Sequence, residues 1–256
     1  MESREVCQPN DELRKKERDF VGETFATIRV WRQCNIDIQF PEKRGGLVMV
    51  DVGAGVSEST AILASQGAIS IAVDPRYRDI NELILNAKEH LVPDFSGFSQ
   101  EEEDKCFERF RQDFKSKKRR RGHYLIGLAG DLPFRDESVD FLFSNRCITF
   151  FLDRDWDLLK GAVDESLRVL KKGGEIQLSP FFEVRLAYQI SRIFEPELFK
   201  IFEEDLDENL ARDENQKRLF DYLSAQSSLE VEIGYTTRMR GDTPIKIPMN
   251  LTIKKK

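Results

Sequence analysis

Apolar and polar positions follow three different patterns along this 256-residue chain. Mostly apolar runs at 47–52, 69–73 and 139–144 are typical of parallel strands that are covered on both faces. Stretches with a helical period, such as 156–170, lie between and after these runs. The run 229–235 alternates with period two, as half-buried antiparallel strands do. The pattern predicts an α/β fold with a mostly parallel sheet and an antiparallel pair of strands near the C-terminus.

A glycine turn follows the first apolar run. Gly53 and Gly55 lack a Cβ, so the backbone can turn sharply there and approach a ligand, and Ser57 is a suitable cap for the next helix. Ligands of such sheets lie just beyond the carboxyl ends of the strands. Glu58 stands where a pyrophosphate fingerprint has glycine, and its carboxylate would repel phosphates at a helix N-terminus. The turn therefore predicts a ligand site that does not hold a dinucleotide.

Two acidic residues stand at the ends of successive apolar runs. Asp51 lies near the end of the first run, and Asp74 closes the second at the distance expected for a ribose contact. Negative charge at this edge tolerates a cationic ligand better than an anionic one. Either acid alone is explained equally well as an ordinary strand-end carboxylate, so the prediction depends on their joint spacing.

Five motifs in a fixed order carry a resemblance to a known family. They are Asp51-Val52-Gly53-Ala54-Gly55, Asp74, Leu132-Pro133-Phe134, Ser138-Val139-Asp140 and Leu170-Lys171-Lys172-Gly173-Gly174. Together they resemble the class I methyltransferases that use S-adenosylmethionine, in particular the branch that acts on small molecules. The resemblance implies their Rossmann-like fold, which is a doubly wound, mostly parallel seven-stranded sheet with a C-terminal antiparallel hairpin. It also implies S-adenosylmethionine as the cofactor.

By this resemblance the cofactor-binding residues follow the strand ends. The turn Gly53-Ala54-Gly55 would pass beneath the methionine part of the cofactor. Asp74, with its neighbour Pro75, would bind the ribose hydroxyls, and Asp51 would anchor the amino end through water. Ser144, at the end of a later strand, would complete this part of the site.

The adenine edge departs from the family pattern. Leu128, Ala129 and Asp131 are the residues expected to line it. Aligned on the Leu-Pro-Phe motif, the chain has Leu128 where the family has an acid, and Asp131 is the nearest carboxylate in the sequence. A missing hydrogen bond of this kind costs about 1 kcal/mol, so we expect cofactor binding to survive without it.

Polar residues after the run 139–144 are the expected acceptor contacts. The ligand edge of the sheet holds Ser144, Asn145, Arg146 and Cys147, with Asn145 as an orienting group and Arg146 as a clamp for an acidic acceptor. Methyl transfer from a sulfonium needs alignment and exclusion of water more than a catalytic pair, so no catalytic residue is assigned. His90 and His123 do not fall at strand ends and are interpreted as surface residues.

The chain is interpreted as one domain with additions. Residues 1–18 are too polar to pack strongly and are expected to form a flexible, partly helical arm before a domain at 19–256. Within the domain, 19–40 shows a mixed helical pattern that suits either a lid over the cofactor or a helix packed on the sheet edge. Residues 94–122 are predicted as a helical insertion.

Composition narrows the class of protein further. The four cysteines include no C-x-x-C pair, which argues against a disulfide framework or a zinc site, and no metal is predicted. No apolar run is as long as a membrane span, so a cytoplasmic protein is expected. The net charge of −6 does not favour wholesale attraction to nucleic acid. The sequence leaves the oligomeric state open.

Two other functions remain open from the sequence, and a third is disfavoured. The basic run 115–121 suits an RNA-directed methyltransferase, although a solvated helix end explains it more simply. The departure at Leu128 suits a relative that binds the cofactor without catalysis, as a scaffold or regulator. A short-chain nicotinamide oxidoreductase is disfavoured by Glu58 and because no tyrosine begins a Tyr-x-x-x-Lys motif.

Overall fold

The fold is that of a computed structural model of the chain. The structure describes residues 11–23, 28–29, 38–89, 100–115, 122–145, 147–153, 155–179, 206–240 and 243–256. The helices are α1 (Asp11–Glu23), α2 (Ser59–Ser65), α3 (Ile80–Glu89), α4 (Gln100–Lys115), α5 (Trp156–Val169) and α6 (Leu206–Ser224). Short 3-10 helices lie at Pro75–Arg78 and Ile148–Asp153. None of the helices in these ranges is long and apolar enough to cross a membrane.

The described strands form one large sheet and one short pair. They are β1 (Ile28–Arg29), β2 (Val48–Val52), β3 (Val56–Ser57), β4 (Ile69–Val73), β5 (Gly122–Leu125), β6 (Val139–Asn145), β7 (Leu170–Ser179), β8 (Leu229–Arg240) and β9 (Thr243–Lys255). The seven-stranded sheet has the order β5-β4-β2-β6-β7-β9-β8, and β1 pairs with β3. All neighbours in the large sheet are parallel except β7 with β9 and β8 with β9. The predicted fold class is confirmed.

The order of the strands places a crevice at the carboxyl end of β2. From β2 the chain moves outward to β4 and β5, and it then returns to β6 on the other side of β2. Ligands of open α/β sheets bind at such a reversal of strand order, because the connections on the two sides leave the sheet in opposite directions. The crevice therefore lies beside the glycine turn that the sequence singled out.

The core explains why these runs form strands. Met49, Val50 and Val52 of β2 are almost fully buried, as are Phe141 and Phe143 of β6, because helices cover both faces of the sheet. On one face, the largest apolar cluster joins the central strands to α5 and α6. A second cluster joins the glycine turn to α3 and α4.

The predicted insertion is part of this second cluster. Phe107 and Phe110 of α4 are 1% and 2% exposed. Phe110 lies 6.2 Å from Tyr77 and 5.6 Å from Tyr124 between ring centroids. The helical prediction is therefore correct for Gln100–Lys115, and this helix contributes to the core. Residues 94–99 and 116–121, including most of the basic run, lie outside the described residues.

The N-terminal region differs from the expectation. Residues 11–18, predicted as part of a flexible, partly helical arm too polar to pack strongly, form the first part of α1, and Glu17 is 4% exposed. The mixed helical pattern at 19–40 is helical only to residue 23 among the described residues, and Ile28–Arg29 is a strand. Period alone missed the strand because its two residues carry no recognisable alternation. The lid hypothesis concerns residues that lie mostly outside the described ranges and stays a prediction.

Candidate functional site

The carboxyl ends of β2 and β4 bring the first predicted residues together. Asp51 and Asp74 are 0% and 2% exposed, and both side chains lie at the glycine turn. Gly53 and Gly55 have φ angles of 66° and 52°, in the left-handed region where glycine is favoured. The turn is tied to β4, because the N–H groups of Gly53 and Ala54 both donate to the carbonyl of Val73.

Asp74 joins the glycine turn to the next segment. Its Oδ2 accepts from the Gly55 N–H at 2.8 Å, and its Oδ1 accepts from the Arg76 N–H at 2.8 Å. The Tyr77 hydroxyl donates to the Gly55 carbonyl at 3.0 Å. Pro75 begins the 3-10 helix that Asp74 caps. Each carboxylate oxygen has a second lone pair, so Asp74 retains acceptor capacity for the hydroxyls of a sugar.

Asp51 is held by a chain of serine hydroxyls. Its Oδ2 accepts from the Ser59 hydroxyl at 2.7 Å, and the hydroxyls of Ser57 and Ser59 lie 2.7 Å apart. The expectation for Ser57 needs correction, because Glu58 is the residue that precedes α2 and no side chain caps that helix. Ser57 instead accepts from the Ser59 N–H at 3.2 Å. Asp51 is therefore positioned by the first residue of α2.

Glu58 is buried at the start of α2. Its side chain is 7% exposed, and its Oε1 lies 2.9 Å from Nη1 of Arg109 on α4. A buried carboxylate at this helix N-terminus disfavours a phosphate there, as the sequence indicated. The ion pair also attaches α4 to the segment after the glycine turn.

Cys147, which the sequence places at the ligand edge after β6, makes a contact with Gly53 that the sequence did not predict. A Cβ on Gly53 would lie 2.1 Å from the Cys147 Sγ and 2.2 Å from its Cβ. The lack of a Cβ at Gly53 therefore makes room for the side chain of Cys147. The sequence had predicted that a ligand would approach closely at this glycine. Strand order brings both residues to one edge, because β2 and β6 are adjacent parallel strands, but it does not predict the contact between them.

The predicted adenine edge holds a second unexpected side chain. The N–H groups of Ala129 and Gly130 donate to the two carboxylate oxygens of Glu17, at 2.5 and 3.0 Å. Burial raises the pKa of the Glu17 carboxyl to about 7, although the two backbone hydrogen bonds oppose this rise. Asp131, the carboxylate nearest in the sequence to the departure at Leu128, pairs with Arg14 at 3.0 Å. Leu128 forms an isolated bridge with Asp131, which closes the turn.

Two of the predicted acceptor residues, Ser144 and Asn145, lie at the end of β6. The Ser144 hydroxyl accepts from the Ile148 N–H at 3.0 Å, so it holds the following 3-10 helix. Asn145 is 1% exposed and pairs across the sheet with Ser179. The Ser179 hydroxyl is buried and has no hydrogen-bond partner among the described residues. Arg146 lies outside the described residues.

No metal centre is evident where the chain is described. In those ranges no three His, Cys, Asp or Glu side chains lie close enough together to hold a metal ion. Cys106 and Cys147 form no disulfide bond among the described residues.

Part of the chain matches a known protein family. Residues 104–178 match the methyltransferase domain family. The matched segment runs from α4 to β7 and includes the Leu-Pro-Phe motif, whereas the glycine turn and Asp74 precede it.

One curated relative matches over a short segment. It is the malonyl-[acyl-carrier protein] O-methyltransferase of Methylococcus capsulatus, which is 40% identical over 63 residues. The aligned segment is 25% of this chain and spans only 21% of the relative's length.

Solved methyltransferase structures resemble the chain at low identity. A SAM-dependent methyltransferase from Methanosarcina mazei is 17% identical, with 83% of this chain and 93% of the other covered and a TM-score of 0.46. The phosphoethanolamine N-methyltransferase 2 of Haemonchus contortus, in complex with S-adenosylmethionine, is 21% identical. That comparison covers 79% of this chain and 38% of the other, with a TM-score of 0.43. The fold assignment depends on the strand order itself.

Proposed function

We propose that the chain is an S-adenosylmethionine-dependent methyltransferase that acts on a small-molecule acceptor. The observation that carries the proposal is the buried Asp74 carboxylate on the N–H of Gly55, beside the crevice at the end of β2. The match of 104–178 to the methyltransferase domain family supports the same reaction class.

The residues present suit this cofactor in charge and in hydrogen-bonding groups. Asp74 would hold the ribose with its remaining lone pairs, and Asp51 would hold the amino end. The turn Gly53-Ala54-Gly55 would lie beneath the methionine part, with Ala129 at the adenine. Three buried acids at one edge, Asp51, Glu58 and Asp74, favour a cation over a phosphate.

The chemistry requires little from the protein beyond placement. S-adenosylmethionine, when bound, supplies an activated methyl group on a sulfonium. Asn145 and Arg146 would orient the acceptor at the end of β6, and the buried surroundings of Ser144 and Asn145 would keep water away. No general base is assigned, because alignment and the good leaving group can supply much of the catalysis.

A small acceptor is favoured over RNA by charge. The chain carries a net charge of −6, which opposes approach of a polyanion. Most of the basic run lies outside the described residues, so the RNA alternative depends on sequence alone.

Calorimetry with S-adenosylmethionine and S-adenosylhomocysteine tests the cofactor. We expect binding of both, at least tenfold weaker in Asp74→Ala, because a carboxylate to two hydroxyls is a charge-assisted contact. Asp221→Ala removes an exposed acid on α6 and should bind as the wild type does. Preferential binding of NADH, or equal affinity in the folded Asp74→Ala variant, would contradict the proposal. A screen of cell extract for transfer of labelled methyl then identifies the acceptor.

A further inference from the structure

Every backbone donor between residues 129 and 132 is already engaged. Ala129 and Gly130 donate to Glu17, and Asp131 donates to the Leu128 carbonyl at 3.2 Å. Leu132 donates to Glu165 at 2.8 Å. Buried N–H groups need partners, so a ligand acceptor atom can bond to this turn only if one of these contacts opens.

The Glu17 contact belongs to a built docking site for α1. Leu13 packs against α5 so closely that a Cβ on Gly161 would lie 2.6 Å from its Cδ2. Arg14 pairs with Asp131 at 3.0 Å, and Lys16 pairs with Asp155 at 3.1 Å. These contacts set Glu17 directly over the turn.

Of the two acids on this turn, Glu17 is the easier to displace. Glu165 lies on α5, which belongs to the main core, and Arg168 of the same helix bonds to both of its oxygens. Glu17 lies on α1, whose contacts described for residues 11–19 include partly exposed ion pairs and the packing of Leu13, and such ion pairs contribute little.

The charges around Glu17 also favour its release. Asp131 and Glu165 both face it and raise its pKa further, and Arg14 faces Asp131. Burial of the carboxylate is the larger effect, and it opposes docking of the ionised form.

We propose that α1 is a displaceable cover of the adenine edge: Glu17 and the cofactor compete for the N–H groups of Ala129 and Gly130. The inference depends on the proposed function. Binding of the adenine end then requires α1 to leave the turn, and the measured affinity is the intrinsic affinity multiplied by the undocked fraction. This is the opposite of a lid that closes over the cofactor.

Calorimetry of the full chain with S-adenosylhomocysteine at pH 8 tests the competition. We expect Glu17→Ala to bind about tenfold more tightly than the wild type, because the variant has no carboxylate to displace. Gly130→Ala should act in the same direction without a change in α1, since its Cβ would lie 2.9 Å from the Glu17 Oε2. Asp19→Asn, which removes an exposed charge from the same helix, should stay within twofold of the wild type.

Hydrogen exchange of residues 11–23 gives a readout that affinity alone does not. Added S-adenosylhomocysteine should speed exchange in this segment of the wild type, whereas a closing lid would slow it. Equal or weaker binding by both Glu17→Ala and Gly130→Ala, with wild-type binding intact, would overturn the inference and leave the proposed function standing. Absence of binding in the wild type and all variants would overturn both.

Discussion

The two halves of the carboxyl edge use the same contact but anchor it differently. At the glycine turn, Asp74 accepts from Gly55, only 19 residues away and on an adjacent connection of the sheet. At the adenine edge, Glu17 accepts from Ala129, 112 residues away and from a helix outside the sheet. Both carboxylates are buried. The contact at the glycine turn is therefore formed whenever the sheet is formed. The contact at the adenine edge depends in addition on whether α1 is docked.

The largest effect is expected at Gly53, in the fixed half. Gly53→Ala places a Cβ on Cys147 and puts a side chain at a φ of 66°, so we expect about 3 kcal/mol of lost stability. Urea unfolding measures this loss. In Gly53→Ala/Cys147→Gly the clash is absent, so the loss measured relative to Cys147→Gly alone should be the backbone strain, about 1 kcal/mol. Equal losses in the single and double variants would show that Cys147 does not fill this space.

Asp74→Ala should have the next largest effect. It leaves the buried Gly55 N–H without its acceptor, which costs about 2 kcal/mol of unfolding free energy. Chemical denaturation, with Asp221→Ala as the control, measures the loss. Matching midpoints for the two variants would mean that the glycine turn is not held as described.

The Glu17 contact at the adenine edge should make the free energy of unfolding depend on pH. The pKa of Glu17 is raised to about 7, so its contribution is fully present below about pH 4.5 and is lost as pH rises to about 7. Between these values we expect the wild type to lose about 2 kcal/mol relative to Glu17→Gln, which has no titrating carboxyl. Urea unfolding of both proteins from pH 5 to 8 measures the difference. A difference in unfolding free energy that does not change with pH would mean that the Glu17 carboxyl is solvated in the folded protein.

Arg14→Gln should have the smallest effect. The Arg14 and Asp131 side chains are about one third exposed, and ion pairs of this kind contribute below about 1 kcal/mol. Thermal unfolding at low and high salt measures this contribution. The control is Lys105→Gln, which removes an exposed ion pair with Glu101 on α4. A loss well above this value would mean that the ion pair, and not Glu17, holds α1 in place.

The same contrast explains how far the sequence could predict this molecule. The apolar runs predicted the central strands, because a strand covered on both faces must be apolar whatever its neighbours are. Asp74 and Gly55 could be brought together because parallel strands end at one edge of the sheet. The sequence therefore predicted the half whose contacts follow from strand order.

Glu17 and the contact between Gly53 and Cys147 could not be predicted in this way. Glu17 lies in a segment that is too polar to mark a buried face, and its partners are more than a hundred residues away. Gly161 is the signal that could have helped, since a glycine inside the apolar stripe of α5 indicates that another element approaches closely. The departure at Leu128 marked the correct edge but not the side chain that contacts it.

The packing of Tyr77 shows what would be lost if the chain were shortened. Its ring lies among Phe110, Phe114 and Tyr124, and its hydroxyl bonds to the Gly55 carbonyl. The segment 94–122 resembles a dispensable excursion in the sequence, yet its aromatic residues surround the ring that supports the glycine turn. A protein without this segment would keep every motif of the cofactor site. It would lose the aromatic residues of α4 that pack against Tyr77 and so support the glycine turn.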